Sequence, residues 1–176
     1  MKKSISLWQF VGFAFVSLFG TILHFLYDWT GENKLAALIS GVNESTFEHM
    51  KLLFFPLFIF AIIENRIFSE EEAFWCIKLK GTLYGLALIP IIFYTLNGAF
   101  GETPDFVNIS IFYISAAAVF LYETKQWESG EVKCKRPYLA FAALCLIALL
   151  FFIFTFNPPR LPLFADPING SFGVKV

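Results

Sequence analysis

The chain has 176 residues, 57% of them hydrophobic and 19% aromatic with 24 Phe, only 15% charged, and a mean hydropathy of +0.67. A soluble domain of this size is nearer half apolar and about a quarter charged, so this composition excludes an ordinary soluble globule. A formal net charge of −1, with no basic block interleaved with aromatics, carries no argument for nucleic acid, and no nucleic-acid partner is expected.

The apolar residues fall in long runs separated by short charged clusters, the pattern of a polytopic membrane protein. A spanning helix needs roughly 20 mostly apolar residues at about 1.5 Å each. Met1-Lys2-Lys3 before an apolar run suggests a signal peptide. However, residues 5–27 carry large side chains throughout and no small-x-small cleavage site, so they read as an uncleaved first span. The second run, 52–63, is short enough to suit a re-entrant segment and reaches spanning length only within 44–68. An early start there is supported by the capping-box pattern Ser45-x-x-Glu48, with Asn43 as an alternative N-cap, and Pro56 predicts a kink. A third span covers 73–100, its amphipathic start leading into an apolar stretch, and a fourth covers 107–123. The fifth, 137–157, opens on Pro137 and closes before Pro158-Pro159. Trp8, Trp29, Trp75 and Trp127 fall near the span ends as an aromatic belt.

The fold expected is all-α, a polytopic transmembrane bundle of five spans over 1–157. The tail, 158–176, is too apolar for a solvated segment and too Pro-rich for a helix. It is expected to be extended, to fold over the outer mouth of the bundle and to turn at Asn169-Gly170; an interfacial anchor is the alternative. With five spans, Lys2, Lys3, Arg66, Lys78, Lys80, Lys125, Lys133, Lys135 and Arg136 share one side, nine of the 13 basic residues. The positive-inside rule then puts the N-terminus in and the C-terminus out. The Glu70-Glu71-Glu72 run reads as a solvated turn before a helix. Cys76, Cys134 and Cys145 form no CxxC pair, and neither a disulfide framework nor a thiolate metal site is expected.

Chemistry concentrates on the expected outer face. His24 ends the first span, with Asp28 one turn later; His49 opens the second, in the stretch Asn43-Glu44-Ser45-Thr46-Phe47-Glu48-His49-Met50-Lys51-Leu52. On a helix, Glu44, Glu48 and Lys51 share a face beside a stripe of Ser45 and His49. Ionisable groups at that depth are costly unless they meet a cavity or each other. Imidazole and carboxylate suit a divalent metal, Zn²⁺ or, with more oxygens, Mn²⁺ or Fe²⁺. The candidate metal ligands are His24, Asp28, Glu44 and His49, with Glu48 as general base. Asp166 in the tail approaches the same face as a second catalytic carboxylate. Asn43, Glu44, Ser45, Lys51 and Asn97 are candidate ligand-binding residues, and Glu102 and Asp105 lie in the other outer loop. Each has a plainer reading: Glu48 completes a capping box, Lys51 pairs locally, His24 bonds Asp28. Gly81 and Gly85 have the spacing that admits a close helix neighbour.

The element at 43–52 and the Pro158-Pro159…Leu163-Phe164-Ala165-Asp166-Pro167 tail resemble those of a family of small bacterial polytopic membrane proteins with no established function. The resemblance covers nearly the whole chain and falls on His24, Asp28, Asn43, Glu44, Ser45, Glu48, His49, Lys51 and Asp166. Phe47 stands where that family more often has Trp. The resemblance implies architecture and these site residues, but no activity; the composition reads as bacterial, and a bacterial inner membrane is the expected location. The residues themselves favour a metal-dependent hydrolase of a lipid or small amphiphile. The alternatives are a solute-binding or transport component and a structural or assembly protein.

Overall fold

A computed structural model describes residues 2–68 and 72–174. Glu70 and Glu71 of the acidic run, and the last two residues of the tail, lie outside the described residues. The described residues form α1 (Lys2–Trp29), the single-turn α2 (Lys34–Ala37), α3 (Thr46–Asn65), α4 (Phe74–Phe100), α5 (Asp105–Ser129) and α6 (Pro137–Phe156). A 3₁₀ turn, Pro162–Phe164, follows α6. Five of the helices, all but α2, are long and apolar enough to cross a membrane.

Local chemistry sets the helix ends. Ser45 caps α3, its Oγ accepting from the Glu48 N–H at 3.3 Å. Asn43 steadies that cap rather than replacing it, its Oδ1 accepting from Ser45 N–H at 2.9 Å. Pro104 precedes α5, and Gly130, with φ of 63°, ends it in the left-handed conformation that glycine adopts at no steric cost. The polar stretch Glu123–Ser129 continues α5 beyond its apolar run. Pro56 and Pro90 lie inside α3 and α4.

The packing order explains why the second span has the weakest sequence signal. Its apolar window is 67% buried within the protein, against 17–33% for the other four. The central helix is α3, in contact with α1, α4, α5 and α6. A helix surrounded by protein has no need of an uninterrupted lipid-compatible surface, so it accommodates Glu48, Lys51 and Glu64 where lipid would not. Glycines let neighbours approach. A Cβ on Gly20 would strike the Phe112 ring and lie 3.1 Å from the Leu52 carbonyl oxygen, which Pro56 cannot bond four residues on. On α4, Gly81 and Gly85 face Glu123 and Val119 of α5.

The tail turns back after α6. Phe164 packs on Phe47 of α3 with ring centroids 4.5 Å apart, Ala165 pairs antiparallel with Phe172, and Val174 N–H donates to Thr155 O.

One expectation needs correcting: Cys76 and Cys134 form a disulfide that ties the first turn of α4 to the loop before α6. The pair are 58 residues apart, and only the packing of α4 on α6 brings them together, so no local spacing announces the bond. Cys145 is free and exposed on α6.

Candidate functional site

Three side chains from three segments converge at one end of the bundle. His24 lies five residues before the end of α1, His49 lies in the first turn of α3, and Glu44 comes from the loop between α2 and α3. One ligand atom from each lies within 4.8 Å of the others. His24 Nε2 is 3.8 Å from Glu44 Oε1, and His49 Nε2 is 3.6 Å from Glu44 Oε2. The imidazoles face each other with centroids 5.7 Å apart.

The loop carrying Glu44 is pinned from both sides. Gly41 N–H donates to Leu23 O of α1, and Val42 N–H donates to Glu48 Oε2 of α3. Asn43 ties the same loop to the tail, its Nδ2 donating to Gly173 O at 3.3 Å. His49 Nδ1 lies 3.0 Å from Ser45 O, a carbonyl, so Nδ1 carries the proton and donates. That leaves the Nε2 lone pair directed at Glu44, the arrangement by which a backbone carbonyl orients a ligating histidine.

This cluster sits on the wall of a cavity of about 420 Å³. Most of the wall is apolar, including Ile89, Phe93, Ile111 and Phe112. Polar groups enter from α5 (Asp105, Asn108) and from Thr21, whose hydroxyl lies 2.9 Å from the Tyr113 hydroxyl. Pro167 and Ile168 of the tail close one side.

Among the other residues singled out from the sequence, Asp28 is exposed and lines a smaller recess of about 150 Å³ shared with His24, Asn43 and Glu44. Glu48 is 2% exposed and is absent from the cavity wall. Instead of closing a capping box onto Ser45 N–H, its carboxylate pairs with Lys51 Nζ at 2.5 Å and holds the Val42 N–H. Lys51 is fully buried, and its remaining donors reach Ala37 O at 2.8 Å and Thr155 Oγ1 at 2.9 Å. Glu48 and Lys51 therefore position the loop and are not free groups in the cavity. Ser45 is consumed as the α3 cap. Asp166, 5% exposed, accepts from Ile168 N–H and Asn169 Nδ2 and shapes the tail turn. Asn97 holds the loop after α4 by accepting from Thr103 N–H, and it lines neither cavity.

The lining pair Thr21 and Tyr113 was not singled out from sequence. Their signal was available: isolated hydroxyls inside apolar runs, placed on two helices whose contact only the fold reveals.

No curated protein and no solved structure matches the chain. Residues 1–174 match a family of unknown function, DUF6512, and the chain belongs to that family.

Proposed function

We propose that His24, Glu44 and His49 hold a divalent metal, Zn²⁺ by preference, at the wall of an amphiphile-binding cavity, and that the protein is a metal-dependent hydrolase of a lipid or small amphiphile. The observation that carries this reading is the cluster itself. Two imidazole nitrogens and a carboxylate lie within 4.8 Å of one another, one imidazole is oriented by a backbone carbonyl, and an apolar cavity adjoins them. Two His and one Glu with an open position form the ligand set of catalytic zinc. The same donors also accept Mn²⁺ or Fe²⁺. A metal bound there supplies Lewis acidity and a more acidic water. The chain's own residues then divide the remaining tasks. The Ile89, Phe93, Ile111 and Phe112 wall takes an acyl or other apolar portion, and the Thr21–Tyr113 hydroxyl pair offers hydrogen bonds to a polar end. Asp105, a carboxylate on the cavity wall outside the ligand set, is the candidate base in place of Glu48.

Metal analysis of purified protein tests this directly. Wild type is expected to carry one equivalent of metal, or to take it up from added Zn²⁺, Mn²⁺ or Fe²⁺, and His49→Ala to lose it. Protein that binds none of the three, or a His49→Ala variant that binds as well as wild type, overturns the reading.

A solute-binding or transport component is the second reading, supported by the withdrawal of Glu48 into its pair with Lys51. Saturable binding of an amphiphile that survives metal removal, with no product formed in the metal-loaded protein, would favour it.

A further inference from the structure

At the opposite end of α1 and α3 from the histidines lies a second polar cluster, buried among four helices. Glu64 of α3, Lys78 of α4 and Glu123 of α5 are 1–3% exposed, as is Gln9 of α1. Lys78 Nζ pairs with Glu123 Oε2 at 2.5 Å and also with Glu64 Oε2. Phe60, Phe74 and Phe120 ring the ammonium with centroids 5.7–6.0 Å away. Gly81 makes room for the Glu123 carboxylate, whose Oε1 would lie 2.8 Å from a Cβ there.

Among the described residues, two carboxylates against one ammonium leave this enclosed site one positive charge short. An uncompensated charge walled by phenylalanines inside a bundle is costly, and binding one further positive charge removes that cost. A second observation shows where it can be accommodated. Gln9 Nε2 donates to Glu64 Oε1 at 3.1 Å, while Gln9 Oε1 is buried with no partner among the described residues. A primary amide offers a donor to a carboxylate and, turned over about its last bond, an acceptor to a carboxylic acid. Gln9 is therefore fitted to partner Glu64 in both protonation states.

We propose that Glu64 and Glu123 form a proton-binding site that shares one exchangeable proton, with Lys78 charged and Gln9 following the proton. A metal cation is disfavoured because it would have to occupy the same carboxylates against the Lys78 ammonium. Among the described residues, the charged and titratable groups facing the site are Glu64, Lys78 and Glu123; α1 contributes the neutral Gln9. The reaction is a proton transfer alone: a carboxylate oxygen gains an O–H bond from hydronium or buffer acid and loses it to water or buffer base. None of the residues proposed to bind metal takes part, so this inference stands or falls independently of that reading.

Infrared spectroscopy of the purified full chain in lipid nanodiscs tests the proposal. Wild type at neutral pH is expected to show the carbonyl stretch of a buried carboxylic acid, shifted on exchange into heavy water and lost on alkaline titration. Glu64→Gln and Glu123→Gln should each alter or abolish it, and Gln9→Leu should shift its frequency or titration midpoint while leaving the band present. The wild-type measurement needs no variant to fold, and its failure is decisive. If no such band appears from neutral to mildly acidic pH, the site binds no proton and the proposal fails. It also fails if the band is unchanged in well-folded Glu64→Gln and Glu123→Gln proteins, or if only added Na⁺ or Li⁺ occupies the site.

Discussion

The two nitrogens of His49 have different tasks, and the cluster depends on that division. Nδ1 is held by the Ser45 carbonyl, which faces it because Ser45 caps the helix on which His49 sits one turn later. The Nε2 atom is thereby left with its lone pair free on the side of Glu44, 3.6 Å from Oε2, where it can ligate a cation but not bond the carboxylate itself. Glu44→Gln, which removes the anionic ligand, is expected to weaken metal binding strongly. Asp28→Asn, at an exposed carboxylate outside the three-residue cluster, should leave the metal stoichiometry of wild type. Titration with Zn²⁺ followed by calorimetry separates the two, and equal losses would place Asp28 among the ligands. Lys51 and Glu48 call for a different measurement. Both are buried and paired to each other, so Lys51→Met leaves the Glu48 charge without its partner and should cost about 3–5 kcal/mol in chemical denaturation. Adding Glu48→Gln should restore part of that loss, because the stranded charge is gone. A single variant as stable as wild type would mean the pair holds nothing together. The sequence placed His24, Glu44 and His49 near one face because helical spacing and loop length are local properties. It could not assign Glu48, because that side chain had three competing partners: the cap, a metal-site role and Lys51.

At the scale of helices, the close approach of α4 to α5 rests on glycine. The spacing of Gly81 and Gly85 was visible in the sequence, and both face α5, Gly85 meeting Val119 and Gly81 the Glu123 carboxylate. Gly85→Ala should destabilise the bundle by about 1–3 kcal/mol through overpacking. Gly98→Ala is the control: it lies on the same helix with nothing within 4 Å of a Cβ, and it should be neutral or slightly stabilising because alanine favours helix. Thermal denaturation in one detergent compares them, and equal behaviour would deny the glycine contact its role. Helix number and order were legible because an apolar run long enough to cross a bilayer is a strong local signal. The centrality of α3 was not, since a helix shielded by protein loses the lipid-facing apolarity that hydropathy detects. The buried charges at the other end were hidden for the same reason. Lys78 and Glu123 lie at the ends of apolar runs, where sequence suggests solvated boundary residues, and only the meeting of α3, α4 and α5 buries them.

For the whole molecule, two physical signals disagree about which side of the membrane is which. The excess of Lys and Arg on the side of the N-terminus argues that this side is cytoplasmic. The disulfide between Cys76 and Cys134 lies on that same side, and lasting disulfides belong to oxidising compartments. Charge bias acts during insertion and governs orientation, whereas a disulfide forms afterwards in whatever redox environment its cysteines reach. We therefore expect the N-terminus inside and the His24–Glu44–His49 cluster on the outer face, with Cys76 and Cys134 reduced in growing cells and bonded once cytosolic reductant is removed. Reporter fusions after residue 174 and thiol labelling in intact cells check both halves together. The fusion should report an outer C-terminus, and Cys76 and Cys134 should react with a membrane-permeant maleimide but not with an impermeant one. A bond already intact in growing cells, together with an inner C-terminus, would reverse the orientation. The cluster of His24, Glu44 and His49 would then open to the cytoplasm and draw its metal and any amphiphile from that side.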